Sequence, residues 1–337
     1  MSSAVSRLTP AAGAGRPRRV VNCYSLFDKV FPTCGMVDYT EGIYDDTATH
    51  YDQAQLNQIQ YVLDEAGCAP GVRLLDIGCG NGRLVAEAVH RGACAVGITI
   101  SPEQVARCRK QNLDVHLLNY RHMDASWHGR FDAVVANGPM EHFVQAEDAA
   151  AGRDDTIYRE FFELAYRLID PASQVRRLVN TTIHFMRAPD PRDLLRSPRE
   201  FARGTDAFHY CMLAWSFGGW YPVPGQFERC ASGFFEPTRC ADGTLDYYRT
   251  SEHWLRRIQA EIRRPSRLVW RALPFLVRHP RQCATMLRCM LGTQSWNWQF
   301  RGADPPTRLL RQSWRYIPSA PHPQTTTPAD NPARQTA

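Results

Sequence analysis

Three glycines at alternate positions follow an acid in Asp76-Ile77-Gly78-Cys79-Gly80-Asn81-Gly82. Glycines spaced this way let the backbone turn sharply and approach a bound ligand closely. The loop lies between the apolar run Arg73-Leu74-Leu75-Asp76-Ile77 and the helical stretch Leu84 to Val89, the setting in which a Gly-x-Gly-x-Gly segment gains meaning. The acid selects the cofactor. In a dinucleotide fold the helix N-terminus faces a pyrophosphate, which the Asp76 carboxylate would repel. A carboxylate there suits a cofactor bearing an amino group. The loop therefore predicts S-adenosylmethionine rather than NAD, with Asp76, Gly78, Gly80 and Gly82 as its contacts.

The rest of a cofactor site follows at the ends of later strands. The second apolar run, Ala93 to Ile98, leads into Thr99-Ile100-Ser101-Pro102-Glu103-Gln104. No acid stands at that strand tip to hold ribose hydroxyls, so Thr99 and Gln104 take the role while Ser101 caps a helix with Pro102 at its first position. Asn119 and Tyr120, after a third strand at Val115 to Leu118, lie where an adenine ring would sit or form a plain turn. Gly138 joins the set just after a fourth strand, Phe131 to Ala136. The pair Glu141-His142 follows at the same edge, where ligands bind in open α/β sheets; His142 reads as a site residue, with a satisfied strand-end histidine as the bland alternative.

Alternating strand and helix signals from about 72 to 185 predict βαβ units and a parallel sheet. Ile157 to Leu168 has helical spacing, and Arg177 to Thr182 is a fifth strand. Gly233-Phe234-Phe235 and Ser295 to Phe300 are read as strands six and seven. The expected architecture is α/β, Rossmann-like, with a seven-stranded, mostly parallel sheet and helices on both faces. Residues 1–22 are expected to be a disordered leader, 23–70 a helical lid over cofactor and substrate, and 71–315 the catalytic domain. Insertions are expected at about 185–230 and 251–290, and a disordered tail at 316–337.

Several segments together resemble one family. Asp76 to Gly82, Gly97 to Gln104 and Met140-Glu141-His142-Phe143 are similar to the cyclopropane-fatty-acyl-phospholipid synthases, which include the mycolic acid cyclopropane synthases, among class I S-adenosylmethionine-dependent methyltransferases. The resemblance spans roughly residues 24 to 260, with a looser echo at Trp298-Gln299-Phe300. It implies that Met36 to Tyr44 with Ala54-Gln55 is a cofactor lid in which Tyr39 and Thr40 hold the methionine end. It also places Tyr248, in Tyr247-Tyr248-Arg249-Thr250, on an active-site tyrosine. Ring-forming members hold a bicarbonate base with a Cys, a Glu, a His and a Tyr. Glu141 and Tyr248 match that set, whereas Glu41 stands at the Cys position and Asn180 at the His position.

The implied chemistry is methyl transfer, which needs alignment and exclusion of water more than covalent help. An alkene acceptor would become a carbocation, stabilised by aromatic faces. Phe143, Tyr248, Trp220 and Tyr221 are candidates, the last two being equally readable as packing. Such a cation must lose a proton to a base. Glu41 would supply a built-in carboxylate beside Glu141, the pair pushing one pKa upward to leave one base and one proton holder, unless Glu41 turns outward. Glu41, Glu141, His142 and Tyr248 are thus the candidate catalytic residues.

Composition narrows the partners. Eleven scattered cysteines without a Cys-x-x-Cys pair point to a reduced, cytoplasmic setting. No His/Cys cluster has metal spacing, and no run approaches about 18 apolar residues. A net charge of +6 is too modest and dispersed to indicate nucleic acid. From Trp254 to Leu291 arginines interleave with apolar residues, which reads either as an interfacial membrane element or as a lid with a solvated Arg face. The acceptor is then an unsaturated acyl lipid, with peripheral membrane contact, or a soluble small molecule. A non-catalytic adenosyl-binding module is a third reading, against which the intact loop and lid count.

Overall fold

The computed structural model describes residues 36, 38–264, 270, 273, 277 and 292–318. The expected leader, the start of the lid, most of the second insertion and nearly all of the tail lie outside the described residues.

The strands are β1 Arg73–Ile77, β2 Cys94–Thr99, β3 Val115–Leu117, β4 Ala133–Asn137, β5 Arg177–Phe185, β6 Phe235–Asp242 and β7 Thr307–Tyr316. They form one sheet in the order β3-β2-β1-β4-β5-β7-β6. The first five strands pair in parallel, and β7 runs antiparallel between β5 and β6. The order reverses direction between β1 and β4, so a crevice opens beyond their C-terminal ends. Both strands are buried on both faces, as their continuous apolar runs require.

Helices cover the two faces. On one lie α1 Tyr51–Glu65, α2 Arg83–His90 and α3 Pro102–Lys110, whose Val62, Leu63, Leu84, Val85, Val105 and Cys108 pack on Leu74, Val135 and Val179. The buried stripe of α1 recurs with helical period at Tyr51, Ala54, Gln55, Gln58, Ile59, Val62 and Leu63. The opposite face is covered by α5 Asp154–Leu168, which follows the short α4 Ala146–Ala150. Its Tyr158, Phe161, Phe162 and Ala165 pack with Leu178 and Trp314 in the larger core. Each such phenyl ring contributes roughly 2–3 kcal/mol by leaving water. The first insertion supplies α6 Asp206–Phe217 and α7 Gln226–Ala231, and the second begins as α8 Thr244–Ile262.

Two strand expectations are corrected. Strand six runs over Phe235–Asp242 rather than 233–235 and is a largely exposed edge, where Pro237 is tolerated beside a register shift. Residues 292–298 are helical, not strand seven. The aromatic alternation at 296, 298 and 300 imitated a strand, but the intervening Ser295, Asn297 and Gln299 are also buried. Trp296 meets Phe217 edge-on, and Trp298 stacks on His209. The true seventh strand hides Arg311, Gln312 and Ser313 in the interior, so its sequence lacks an apolar pattern.

Candidate active site

The glycine loop closes β1 and starts α2. Gly78 takes φ +80°, and a Cβ there would stand 2.7 Å from Pro139, so the β1 and β4 loops approach as only glycine allows. Gly80, at φ +53°, has no heavy atom within 4 Å of where its Cβ would be. It leaves an open floor beneath a cavity of about 420 Å³. Gly82 does not line this cavity; its missing Cβ makes room for Cys108 and Leu113.

The cavity is lined by ten of the eleven residues expected to contact the cofactor: Tyr39, Thr40, Asp76, Gly78, Gly80, Thr99, Gln104, Asn119, Tyr120 and Gly138. Asp76 is 2% exposed, and its Oδ1 has no hydrogen-bond partner among the described residues. Burial, then the nearby Cys108 and Asp38, push its pKa up to about 7. A buried carboxylate oxygen without a donor, facing a cavity with an open glycine floor, fits a ligand with a cationic amino group. Thr99 donates to Gln104 Oε1 at 2.6 Å, fixing the amide, and Ser101 caps α3 by accepting from the Gln104 backbone N–H. Asn119 is both turn former and lining residue, since its Oδ1 accepts the Arg121 N–H. The Tyr120 ring lies 4.2 Å from Phe143, forming an aromatic wall.

The lid is held from both sides. From α1, Gln55 donates to the Thr40 carbonyl at 3.0 Å, and Gln58 donates to Asn137 Oδ1 at 2.8 Å. From α8, Tyr247 donates to the Tyr39 carbonyl, while Thr250 Oγ1 accepts the Gly42 N–H at 2.9 Å. Asp38 and Arg83, both on the cavity wall, pair at 2.6 Å.

The four candidate catalytic residues separate. His142 lines the cavity; burial lowers its pKa to about 4, so it is neutral at pH 7. Glu141 sits in a short helical turn after β4. Its Oε1 accepts the Ile183 N–H at 2.8 Å, while Oε2 is buried without a partner among the described residues. Burial raises its pKa to about 7, and Glu41 adds the smallest of the contributions. The expected mutual push between the two acids is thus minor beside burial.

Glu41 turns inward, but onto Arg311, whose Nε donates to it at 3.0 Å. Removing one partner of so buried a pair costs about 3–5 kcal/mol. Tyr248 does not line the cavity; its hydroxyl donates to Glu252 at 2.8 Å, one turn along α8. Asn180 is committed to Thr182, Gln312 and Trp314. Trp220 and Tyr221 pack on Phe185, and Tyr158 holds the Trp220 carbonyl. Sequence reasoning missed Gln55 as a side-chain anchor, Gln58, Asn137 and Arg311. The two glutamines carried a signal, being polar residues on the apolar stripe of α1.

The fold is shared with known enzymes. The cyclopropane synthase MmaA2 of Mycobacterium tuberculosis superposes with a TM-score of 0.67 at 20% identity, over 88% of this chain and 97% of that one. Mycolic acid cyclopropane synthase CmaA1, crystallised with SAH and CTAB, gives 0.66 at 21% identity over the same shares. In sequence, cyclopropane mycolic acid synthase 3 of M. tuberculosis is 26% identical over 221 residues, 62% of this chain and 69% of that protein. A probable fatty acid methyltransferase of the same organism is 35% identical over 109 residues, which span 31% of this chain but only 26% of that protein. The family profile described as mycolic acid cyclopropane synthetase matches residues 19–206, more than half of the 337 residues. On that match, and with the glycine loop and the Tyr39-Thr40 segment lining one sheet-edge crevice, the chain belongs to the mycolic acid cyclopropane synthetase family of S-adenosylmethionine-dependent methyltransferases.

Proposed function

We propose that this chain methylates carbon in an unsaturated acyl chain of a lipid, leaving a cyclopropane or a methyl branch. The relatives named for cyclopropane mycolic acid synthesis and fatty acid methylation support the acceptor class. The observation that carries the reading is the Glu141 carboxyl, which does not itself line the cavity but is buried next in sequence to the cavity-lining His142, with one oxygen unpartnered among the described residues. Methylation of an alkene carbon gives a cation that must lose a proton inside a water-free site, and a carboxylate with a pKa about 7 can take it.

S-adenosylmethionine, when bound, supplies an electrophilic methyl group on a sulfonium. Asp76, Tyr39 and Thr40 would hold its amino-acid end, Thr99 and Gln104 its ribose, and Asn119 and Tyr120 its base. The lid excludes water. An alkene held against the site would use its π electrons to form a C–C bond to that methyl while the methyl's bond to sulfur breaks and S-adenosylhomocysteine leaves, and Phe143 would offer an aromatic face to the resulting positive charge. Glu141 Oε2 then accepts the proton. Lost from the added methyl, that proton leaves a ring; lost from a neighbouring carbon, it leaves a branch beside a double bond. His142, being neutral, adds no competing charge.

Access to a lipid is supported by the start of the second insertion. Trp270, Leu273 and Val277 are helical and 76%, 43% and 70% exposed. From 262 to 291 the sequence holds Arg263, Arg264, Arg267, Arg271, Arg278, Arg281 and Arg288 and no acid. Exposed apolar residues within a basic stretch suit an anionic membrane surface. Among the described residues no helix is long and apolar enough to cross a membrane.

Mass spectrometry of lipids from cells expressing the protein and fed methyl-labelled methionine tests the function. The expected result is a label-dependent gain in unsaturated acyl chains. Absence of that gain, with purified protein still binding S-adenosylhomocysteine, would overturn the lipid acceptor in favour of a soluble one.

A further inference from the structure

We infer that Arg311 is a positioning residue for the lid, and that it makes Glu41 a strut rather than the proton acceptor. The inference rests on the methyltransferase reading and deepens it. Arg311 stands on β7, opposite Thr181 of β5. Its guanidinium holds carboxylates from two other elements: Nε donates to Glu41 on the lid at 3.0 Å, and an NH2 donates to Asp246 in the first turn of α8 at 2.9 Å. The same nitrogen reaches the Gly42 carbonyl at 3.4 Å. The Arg311 and Glu41 side chains are only 6% and 1% exposed, so neither charge is satisfied by solvent.

A fork-shaped cation with fixed donor directions can hold two acids in one geometry, which a lysine cannot. Both acids are bound into the lid system. Asp246 also accepts the Tyr44 N–H, and Tyr44 and Thr250 share a hydroxyl contact at 3.2 Å. Glu41 directly follows Tyr39 and Thr40 on the cavity wall. Fixing Glu41 therefore fixes the two residues that would meet the cofactor. Burial raises the Glu41 pKa, and the Arg311 guanidinium opposes that rise by stabilising the carboxylate it pairs with; a carboxylate engaged in this ion pair must give up that contact to take a proton.

The fold reserves space for this cation. A Cβ on Gly243 would lie 2.7 Å from Arg311 Cζ and 2.8 Å from one of its terminal nitrogens. The Gly243 φ of −103° is open to any residue. Its lack of a side chain therefore serves the guanidinium rather than the backbone.

The test compares purified full-length Arg311→Lys, Gly243→Ala, Glu41→Gln and Glu141→Gln with wild type. Binding of S-adenosylhomocysteine is read by calorimetry, hydrogen exchange over 38–44 by mass spectrometry, and turnover against pH with labelled cofactor. Arg311→Lys, Gly243→Ala and Glu41→Gln are expected to weaken binding about tenfold, as loss of a well-formed charged hydrogen bond would, and to speed exchange over 38–44. The cofactor KM should rise in Glu41→Gln while the pH profile of kcat keeps its midpoint. Glu41→Gln with wild-type binding and exchange but no turnover would overturn the inference, because Glu41 would then be the base. Wild-type binding and exchange in both Arg311→Lys and Gly243→Ala would overturn it too. Binding and exchange require no acceptor, so they are read even if the lipid assignment fails, whereas wild type that does not bind S-adenosylhomocysteine would refute the methyltransferase reading itself.

Discussion

Tyr247 donates its hydroxyl to the backbone carbonyl of Tyr39 at 3.3 Å, while its neighbour Tyr248 faces the other way, toward Glu252. Tyr247 is buried and its ring stacks on Phe300 at 4.4 Å. Of two adjacent tyrosines, one therefore supports the cofactor lid and the other borders solvent. Tyr247→Phe is expected to weaken S-adenosylhomocysteine binding by about three- to tenfold, the value of one partly buried hydrogen bond. Tyr248→Phe should leave binding within about twofold. Calorimetry on the two variants distinguishes them, and the reverse ranking would show that the lid is held otherwise.

Asp76 makes cofactor affinity pH-dependent. Burial disfavours the charge and pushes its carboxyl up to about 7. A cationic ligand favours the ionised form, so binding releases a proton below that value. Affinity for S-adenosylhomocysteine should rise about tenfold from pH 6 to pH 8 and then level off. Asp76→Asn should bind weakly with no such slope. Calorimetry in buffers of different ionisation enthalpy would register the released proton.

As the proposed proton acceptor, Glu141 would couple activity to instability. Turnover should rise with pH to a midpoint near 7, where the carboxylate becomes available. Glu141→Gln should lower kcat by about a hundredfold or more. The folded pKa lies above the ordinary 4.5, so the native state holds a proton that the unfolded chain has lost. Stability therefore falls as pH rises from about 4.5 to about 7, by up to about 3 kcal/mol. Glutamine carries no such charge. The melting temperature of Glu141→Gln relative to wild type should accordingly be higher at pH 8 than at pH 5. An advantage independent of pH would mean that Glu141 is not titrating there.

The exposed trio on the second insertion offers a binding test independent of chemistry. Trp270→Ser with Val277→Ser should cut partitioning onto vesicles containing anionic lipid by about tenfold or more. Affinity for S-adenosylhomocysteine should not change. Co-sedimentation with neutral and anionic vesicles measures both the apolar and the charge contribution. Equal partitioning of variant and wild type would dismiss these residues as a membrane contact.

The features legible in the sequence were those encoded locally. The Asp76-to-Gly82 loop, the Ser101 cap with Pro102, and the first five strands each carry their signal within about ten residues, and the structure places the first five strands within a few residues of expectation. Residues 307–316 were illegible because a central strand that buries Arg311, Gln312 and Ser313 has no apolar period to read. The Glu41–Arg311 pairing was illegible for a related reason. The partner of Glu41 is far away in sequence, and a buried acid without a visible counter-ion looks like a reagent. Tyr247 and Tyr248 differ by one position on a helix, a rotation of about 100° that decides which ring meets the lid.

The pairing of Glu41 with Arg311 joins points 270 positions apart. The parallel strands β1 to β5 and the glycine loop all lie before residue 186, but Glu41 gains its counter-ion only when β7 has slotted between β5 and β6. Fixing Glu41 therefore rests on a contact that must close a loop of 270 positions, and the entropy of that closure is met only when β7 is in place. On the ribosome, Glu41 would wait for its buried counter-ion until β7 emerged.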